Sequence, residues 1–264
     1  MDTIEAIILG IVQGLTEFLP VSSSGHLQIA KALMGVEIEQ NLLFDVTLHA
    51  ATVLSTIVVL WSEVARLLRG LFSRRFNEEQ AYVLKLLLSM IPIGIVGFTL
   101  KDRLDALLES PAILLVVGCM LLVTAALLAF AYYAKPRQKA QLSYRDAFLI
   151  GVAQAVAALP GLSRSGSTIA TGLLLGNRKQ TVAQFSFLMV LAPILGETFL
   201  ELMKGNLGAQ AIGSAPLAAG FVAAFVVGCL ACKFLIEFVK RGKLVWFALY
   251  CAAAGTVSIL SYVL

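Results

Sequence analysis

The chain has 264 residues, of which 59% are hydrophobic and only 14% charged, and its mean hydropathy is +0.90. This composition excludes a soluble domain, and the lack of alternating ten-residue segments argues against a transmembrane barrel. The formal net charge of +4 reflects basic loops that orient a membrane protein and does not indicate nucleic-acid binding. We therefore predict an all-α polytopic membrane protein that forms a single integral membrane domain over residues 1–264.

The first predicted element is an apolar stretch, residues 4–33, that is interrupted by Pro20 and Gly25. Each arm has about 10–15 residues, fewer than the roughly 20 that a helix needs to cross a hydrocarbon core. Non-helical backbone at membrane depth is tolerated only where it lines a buried or water-filled cavity. The sequence therefore predicts a re-entrant helical hairpin whose serine-rich turn, residues 22–25, lines a cavity.

The rest of the chain predicts six crossings, a second hairpin at residues 146–175 and several loops. Residues 62–83 and 133–145 are polar and basic, and residues 204–214 are rich in Gly and Ala, so all three are predicted loops. The predicted crossings are residues 43–61, 84–100, 112–132, 184–203, 215–238 and 245–263.

The two hairpins align with each other at a spacing of 141 residues. A chance match between two apolar, Gly-rich stretches is the alternative, but the register continues past the hairpins. Each half has one hairpin and three crossings. A hairpin returns to the side from which it enters, whereas three crossings end on the opposite side of the membrane. The second half should therefore begin on the opposite side and have the opposite orientation. We predict an inverted repeat, with repeat 1 at about 4–132 and repeat 2 at about 145–263. The aligned pairs are Gly10 with Gly151, Gln13 with Gln154, Gly25 with Gly166, and Phe44 with Phe185.

Lysine and arginine are distributed unequally between the two sides of this topology, and cytoplasmic loops carry the excess. The side with few positive charges has only Lys31, Lys101, Arg103 and Lys204. We therefore predict that the other side is cytoplasmic and that both termini face outward. The first hairpin then enters from outside and the second from inside. The thirteen residues on the cytoplasmic side are Arg66, Arg69, Arg74, Arg75, Lys135, Arg137, Lys139, Arg145, Arg178, Lys179, Lys240, Arg241 and Lys243.

Glu17, His26 and Arg164 are charged or titratable residues inside the two apolar hairpins. Such residues are costly in a membrane and usually functional. One alternative is that Glu17 and Arg164 form a structural ion pair, and another is that His26 is a hydrogen-bonded interior histidine. His49 stands alone in a predicted crossing, where we expect it to be packed or hydrogen-bonded.

The two serine-rich turns are suited to an anion, because each opens a helix whose free N–H groups and positive dipole end attract phosphate. Serine and threonine hydroxyls add hydrogen-bond donors, and glycine lets the backbone approach closely. Arg164 adds a planar fork that matches two phosphate oxygens. The alternative is that both turns are ordinary serine N-caps. The candidate binding residues are Gln13, Ser22, Ser24, Gly25, Ser163, Ser165, Gly166 and Thr168.

The stretches from residues 13–26 and 160–168 resemble the undecaprenyl-diphosphatase family, the bacitracin-resistance type of bacterial membrane phosphatase. The resemblance extends over nearly the whole chain. It implies removal of the terminal phosphate of undecaprenyl diphosphate at the outer face of the cytoplasmic membrane, which recycles the lipid carrier for cell-wall synthesis. The family's proposed nucleophile matches Ser23, its histidine matches His26, and its phosphate-clamping arginine matches Arg164. Many members have Glu where this chain has Gln13, so more weight falls on Glu17.

Several alternatives stay open at this point. A serine nucleophile needs an adjacent base, which could be His26 or Glu17. The inverted repeat would also suit a transporter or flippase of the polyprenyl phosphate carrier. No histidine or cysteine ligand set predicts a metal site, although Mg²⁺ or Ca²⁺ could accompany the diphosphate on Glu17. The expected partner is a long-chain isoprenyl diphosphate lipid rather than a nucleic acid, and the oligomeric state is open.

Overall fold

The computed structural model describes residues 1–36, 42–108, 110–133, 139, 141–196 and 213–263. Over these residues the chain is helical, with one isolated parallel bridge between Lys139 and Asn177. The predicted all-α fold is confirmed. The helices are α1 (Thr3–Thr16), α2 (Ser23–Met34), α3 (Leu42–Val59), α4 (Trp61–Leu71), α5 (Glu78–Thr99), α6 (Lys101–Leu108), α7 (Ile113–Tyr133), α8 (Tyr144–Val156), α9 (Arg164–Leu174), α10 (Lys179–Met189), α11 (Ser214–Arg241) and α12 (Val245–Val263). Residues 191–196 are also helical.

Four helices in the described part of the chain, α5, α7, α11 and α12, are long and apolar enough to cross a membrane. A fifth crossing results if α3 and α4 are counted as one bent span. The predicted polytopic membrane protein is therefore confirmed. Helix α5 begins six residues before the predicted crossing at residue 84, because Asn77 and Gln80 form a capping box that starts the helix at Glu78.

The predicted loop at residues 62–83 is wrong in its first half, which is helix α4. This helix is bent by 80° from α3. It is amphipathic: Leu67 is buried, whereas Arg66 is exposed and pairs with Glu63 at 2.8 Å and Glu79 at 3.1 Å. Arg66 and Arg69 therefore lie on the polar face of a short helix, whereas Arg74 and Arg75 follow its end.

The two predicted hairpins contain the expected helix breaks. Helices α1 and α2 have 14 and 12 residues, and α8 and α9 have 13 and 11, so each is shorter than the roughly 20 residues of a membrane span. The second arm of each pair is capped in the same way. The Ser22 hydroxyl accepts a hydrogen bond from the Gly25 amide, and the Ser163 hydroxyl accepts one from the Gly166 amide.

Close helix contacts hold the hairpins against the long helices. Helix α1 packs on α11 and α8 packs on α5, while α7 packs on α12. A Cβ atom on Gly10 would lie 2.5 Å from the Gly220 carbonyl oxygen, and one on Gly151 would lie 2.3 Å from the Ser89 carbonyl oxygen. Because only glycine permits these approaches, Gly10 and Gly151 fix how deeply each hairpin sits against its neighbour.

Lys31, which is counted above on the side with few positive charges, lies in α2. It is fully buried and pairs with Asp45 of α3 at 2.7 Å. Residues 197–203 of a predicted crossing, residues 204–212 of a predicted loop, and residues 134–138 and 140 of the predicted loop at 133–145 lie outside the described residues.

Candidate active site

The two helix breaks contact each other inside the helix bundle. A Cβ atom on Gly25 of the first break would lie 3.2 Å from the Gly161 Cα atom of the second. A Cβ atom on Gly166 would lie 3.3 Å from the Pro20 side chain. Across the same contact the Ser165 hydroxyl donates a hydrogen bond to the Leu19 carbonyl at 3.2 Å. The two serine-rich turns are therefore neighbours.

The Glu17 carboxylate is the centre of this contact. Its Oε2 atom accepts hydrogen bonds from Gln13 Nε2 at 2.9 Å and from Ser23 Oγ at 2.7 Å. Its Oε1 atom pairs with the Arg164 guanidinium from the other hairpin. The Glu17 side chain is only 4% exposed, and that of Arg164 is 26% exposed. The structure thus brings together four of the predicted site residues around one buried charge.

Local structure explains how α1 and α2 present these groups. Gln13 and Glu17 are four residues apart at the end of α1, so both side chains lie on one face. Ser23 is the first residue of α2, directly after Ser22, whose φ of +71° is unusual for a residue with a side chain. Such strained backbone persists where the surroundings enforce it and is common at functional sites. The turn places the Ser23 hydroxyl against Glu17.

His26 contacts the serine turn and α12 rather than the Glu17 carboxylate. Its Nδ1 atom lies 2.8 Å from the Ser22 carbonyl oxygen, and its Nε2 atom lies 2.7 Å from the Tyr250 hydroxyl. Because a carbonyl oxygen can only accept, Nδ1 carries the hydrogen. The two rings are also stacked, with centroids 5.5 Å apart. Sequence reasoning missed Tyr250, whose only signal is a hydroxyl-bearing side chain within an apolar helix.

His49 does not stand alone, contrary to the expectation. It is hydrogen-bonded as expected, with its Nδ1 atom 2.8 Å from the Asp45 carbonyl oxygen. Its Nε2 atom, however, lies 3.9 Å from Glu17 Oε2, because α3 packs beside α1. The available signal was a histidine inside an apolar span, which is usually functional.

The other predicted binding residues fall into two groups. Ser22 and Ser24 are near one another, with hydroxyl oxygens 3.3 Å apart. In the second turn, the Ser163 amide donates to the Thr124 hydroxyl, and the Thr168 hydroxyl donates to the Arg164 carbonyl and contacts Ser186. Thr168 therefore supports the arginine-bearing turn from inside the bundle. The cleft beside this turn is lined by Glu17, Phe18, Thr52, Val53, Thr56, Arg164, Ser165, Ser186, Phe187, Val190 and Ile194.

Comparison with known proteins identifies the family of this chain. The sequence model of the family described as bacitracin resistance protein BacA matches residues 6–257. The chain belongs to the BacA family. It is 62% identical to the undecaprenyl-diphosphatase of Parabacteroides distasonis and 60% identical to that of Bacteroides fragilis, in each case over 98% of both chains. The undecaprenyl-diphosphatase of Methanosphaera stadtmanae is 34% identical over the same share of both chains. The resemblance inferred from the two turns is confirmed.

The described residues of this BacA-family chain provide only part of a metal site. Among them, no group of three or more His, Cys, Asp or Glu side chains could hold a metal ion. Glu17 offers one carboxylate, and the buried Gln13 Oε1 atom has no hydrogen-bond partner within the described structure. Both are hard oxygen ligands of the kind that Mg²⁺ and Ca²⁺ prefer, so substrate oxygens would have to complete any coordination shell.

Proposed function

We propose that this BacA-family chain is an undecaprenyl-diphosphatase, which hydrolyses undecaprenyl diphosphate to undecaprenyl phosphate and inorganic phosphate. Curated relatives at 50–62% identity over nearly the full length carry that name. The observation that carries the proposal is the Ser23 hydroxyl, 2.7 Å from the buried Glu17 carboxylate, with Arg164 on its other oxygen. The product would return to use as a lipid carrier in cell-wall synthesis.

In this proposal Ser23 is the nucleophile and Glu17 is its base. A serine hydroxyl attacks efficiently only when an adjacent group takes its proton. Ser23 already donates to Glu17, whereas both ring nitrogens of His26 contact Ser22 and Tyr250. The geometry therefore favours Glu17 over His26 as the base. His26 then acts as a positioning residue that holds the strained turn before Ser23.

The proposed reaction has two balanced steps. In the first, Ser23 Oγ bonds to the terminal phosphorus, its proton passes to Glu17, and the bond from phosphorus to the bridging oxygen breaks, which releases undecaprenyl phosphate. In the second, water attacks the phosphoserine, and Glu17 returns its proton to the Ser23 oxygen as the Oγ–P bond breaks. Inorganic phosphate leaves and carries the protons of the attacking water. The side chain is then ready for another cycle.

Arg164 and the N-termini of α2 and α9 would stabilise the charge on the transferred phosphoryl group. Phosphoryl transfer depends mainly on positioning and on stabilising negative charge at the equatorial oxygens. Arg164 is partly exposed to the cleft, so it can exchange one contact with Glu17 for a phosphate oxygen without a large movement. The proposed binding residues are Gln13, Ser22, Ser24, Gly25, Ser163, Ser165 and Gly166, with Thr168 in a supporting role.

The proposal includes an inverted repeat within one membrane domain, with halves at about 4–132 and about 145–263. Reciprocal packing supports it: the hairpin helix α1 of the first half packs on α11 of the second, and α8 of the second packs on α5 of the first. The contacts between the breaks are also reciprocal, since Gly25 contacts Gly161 and Gly166 contacts Pro20. Pro20 and Gly161 are 141 residues apart, the spacing at which the two hairpins align.

The proposed location is the bacterial cytoplasmic membrane, with both termini on the outer side. The excess of lysine and arginine in the segments at 62–83, 133–145, 176–183 and 239–244 supports this orientation. The first hairpin, which carries Ser23, would then open toward the outer face. The diphosphate head group would reach Arg164 from that interface, while the isoprenoid tail stays in lipid against the apolar helices.

Phosphate release from a long-chain isoprenyl diphosphate by the purified protein in detergent tests this function. No ion gradient exists in detergent, so turnover there distinguishes a phosphatase from a transporter of the lipid carrier. We expect S23A and R164A to lose at least about 100-fold in kcat. Ser73→Ala and Arg74→Ala make the same chemical changes at exposed positions and should retain activity. Wild-type rates in folded S23A and R164A proteins would contradict the assignment.

A further inference from the structure

The Glu17 carboxylate has competing roles in the proposed reaction. It accepts two hydrogen bonds at Oε2 and pairs with Arg164 at Oε1. A proton retained on Glu17 would weaken this ion pair at the stage when Arg164 must stabilise the phosphoryl group. A neighbouring group that removes the proton from Glu17 would keep both interactions intact, and His49 is such a group.

The hydrogen bonding of His49 leaves one ring nitrogen ready to accept a proton. Its Nδ1 atom donates to the Asp45 carbonyl at 2.8 Å, since a carbonyl oxygen cannot donate. In the neutral ring Nε2 therefore has a free lone pair, and it lies 3.9 Å from Glu17 Oε2. The Nε2 lone pair of His49 and the ionised Glu17 carboxylate repel each other unless a proton lies between them. In the proposed reaction, the proton that Ser23 gives to Oε2 can occupy that position.

The gap between His49 and Glu17 is small enough to close. A distance of 3.9 Å is about 1 Å longer than a hydrogen bond. The His49 side chain is 30% exposed. A small ring rotation or one bridging water would therefore connect the two groups.

The other charges near His49 are already paired. Glu17 on α1 pairs with Arg164 from α9, and the Asp45 carboxylate on α3 pairs with the buried Lys31 from α2. Helix α11 presents glycines to α3: a Cβ atom on Gly220 would contact Phe44, and one on Gly228 would contact Ser55. Since Gln13 does not titrate, His49 is the proton acceptor that the described structure places beside Glu17.

We propose that His49 takes from Glu17 the proton that Glu17 receives from Ser23, and returns it through Glu17 to the Ser23 oxygen as the phosphoserine is hydrolysed. In the first step the Ser23 O–H bond breaks, the Oγ–P bond forms and the P–O bond to the bridging oxygen breaks. The proton ends on His49 Nε2, and Glu17 stays ionised beside Arg164. This inference rests on the proposed function. His49 does not touch the substrate, so it is a positioning residue that acts through Glu17.

His49→Gln tests the relay, because glutamine can donate a hydrogen bond to Glu17 but cannot take up a proton at neutral pH. The measurements are kcat and KM for isoprenyl diphosphate hydrolysis between about pH 5 and pH 8. We expect kcat to fall about 10- to 100-fold with KM nearly unchanged. The pH dependence of kcat in H49Q should differ from that of the wild type. Thr47→Val on the same helix is the control and should retain the wild-type profile, since the Thr47 hydroxyl bonds only its own helix backbone.

A double-mutant cycle with Glu17→Gln separates this inference from a structural role. If His49 acts through Glu17, H49Q should lower kcat in the wild-type background but have little further effect in E17Q. An equal loss in both backgrounds, or a wild-type pH profile in H49Q, would overturn the relay. Failure of the wild-type protein to release phosphate at all would instead refute the proposed function.

Discussion

Replacing Glu17 with glutamine keeps the size of the side chain but removes the negative charge that the other site residues contact. Gln13 and Ser23 both donate to Oε2, and Arg164 pairs with Oε1. The glutamine amide has one acceptor oxygen and one donor nitrogen, so one of these donors must face another donor. The variant also has no base for the Ser23 proton.

The structure sets the size of both effects. Loss of a general base lowers kcat about 10²- to 10⁴-fold. The Glu17 side chain is 4% exposed and that of Arg164 is 26% exposed, so E17Q removes a negative charge that pairs with a largely buried cation. Removing one partner of a buried pair costs about 3–5 kcal/mol, and we expect about 1–3 kcal/mol here because Arg164 reaches the cleft and glutamine keeps one acceptor.

Phosphate release and thermal unfolding of the purified variant measure these two effects separately. Glu237→Gln is the matched control: Glu237 is 56% exposed and lies 3.6 Å from both Lys240 and Arg241. Such surface pairs contribute less than about 1 kcal/mol, so E237Q should keep wild-type activity and melting temperature. If E17Q hydrolysed the lipid diphosphate within about threefold of the wild-type rate, Glu17 could not be the base that activates Ser23.

Two further predictions concern the framework of the site. Gly151→Ala should destabilise the protein by about 1–3 kcal/mol, because its Cβ atom would lie 2.3 Å from the Ser89 carbonyl oxygen. Gly94→Ala should instead be neutral or slightly stabilising, since no described atom lies within 4 Å of that Cβ position. The melting temperatures of the two variants, each compared with the wild type, test these two predictions. Tyr250→Phe removes the hydroxyl that contacts His26 but keeps the stacked ring. We therefore expect kcat to fall about 2- to 10-fold. An unchanged kcat would show that this contact does not position the turn.

The sequence alone established the class of protein and the elements that carry the site. Apolar runs identify membrane helices because burial in lipid depends on the local hydrophobicity of about 20 consecutive residues. Pro20 and the serine turns identify helix breaks because their effects on the backbone are also local. For the same reason Glu17, Ser23 and Arg164 could be selected as site residues, since polar groups in apolar surroundings are costly wherever the chain folds.

The tertiary structure decided which of these groups meet. Arg164 pairs with Glu17 across 147 residues of sequence, and Tyr250 contacts His26 across 224. His49 approaches Glu17 only because α3 packs beside α1, and Ser23 donates to Glu17 from a turn in which Ser22 adopts a φ of +71°. These contacts join residues that are far apart in the sequence, so they depend on helix packing, which a local sequence pattern does not specify. The amino-acid sequence therefore determined the groups available for chemistry, and helix packing determined which carboxylate lies beside the Ser23 hydroxyl.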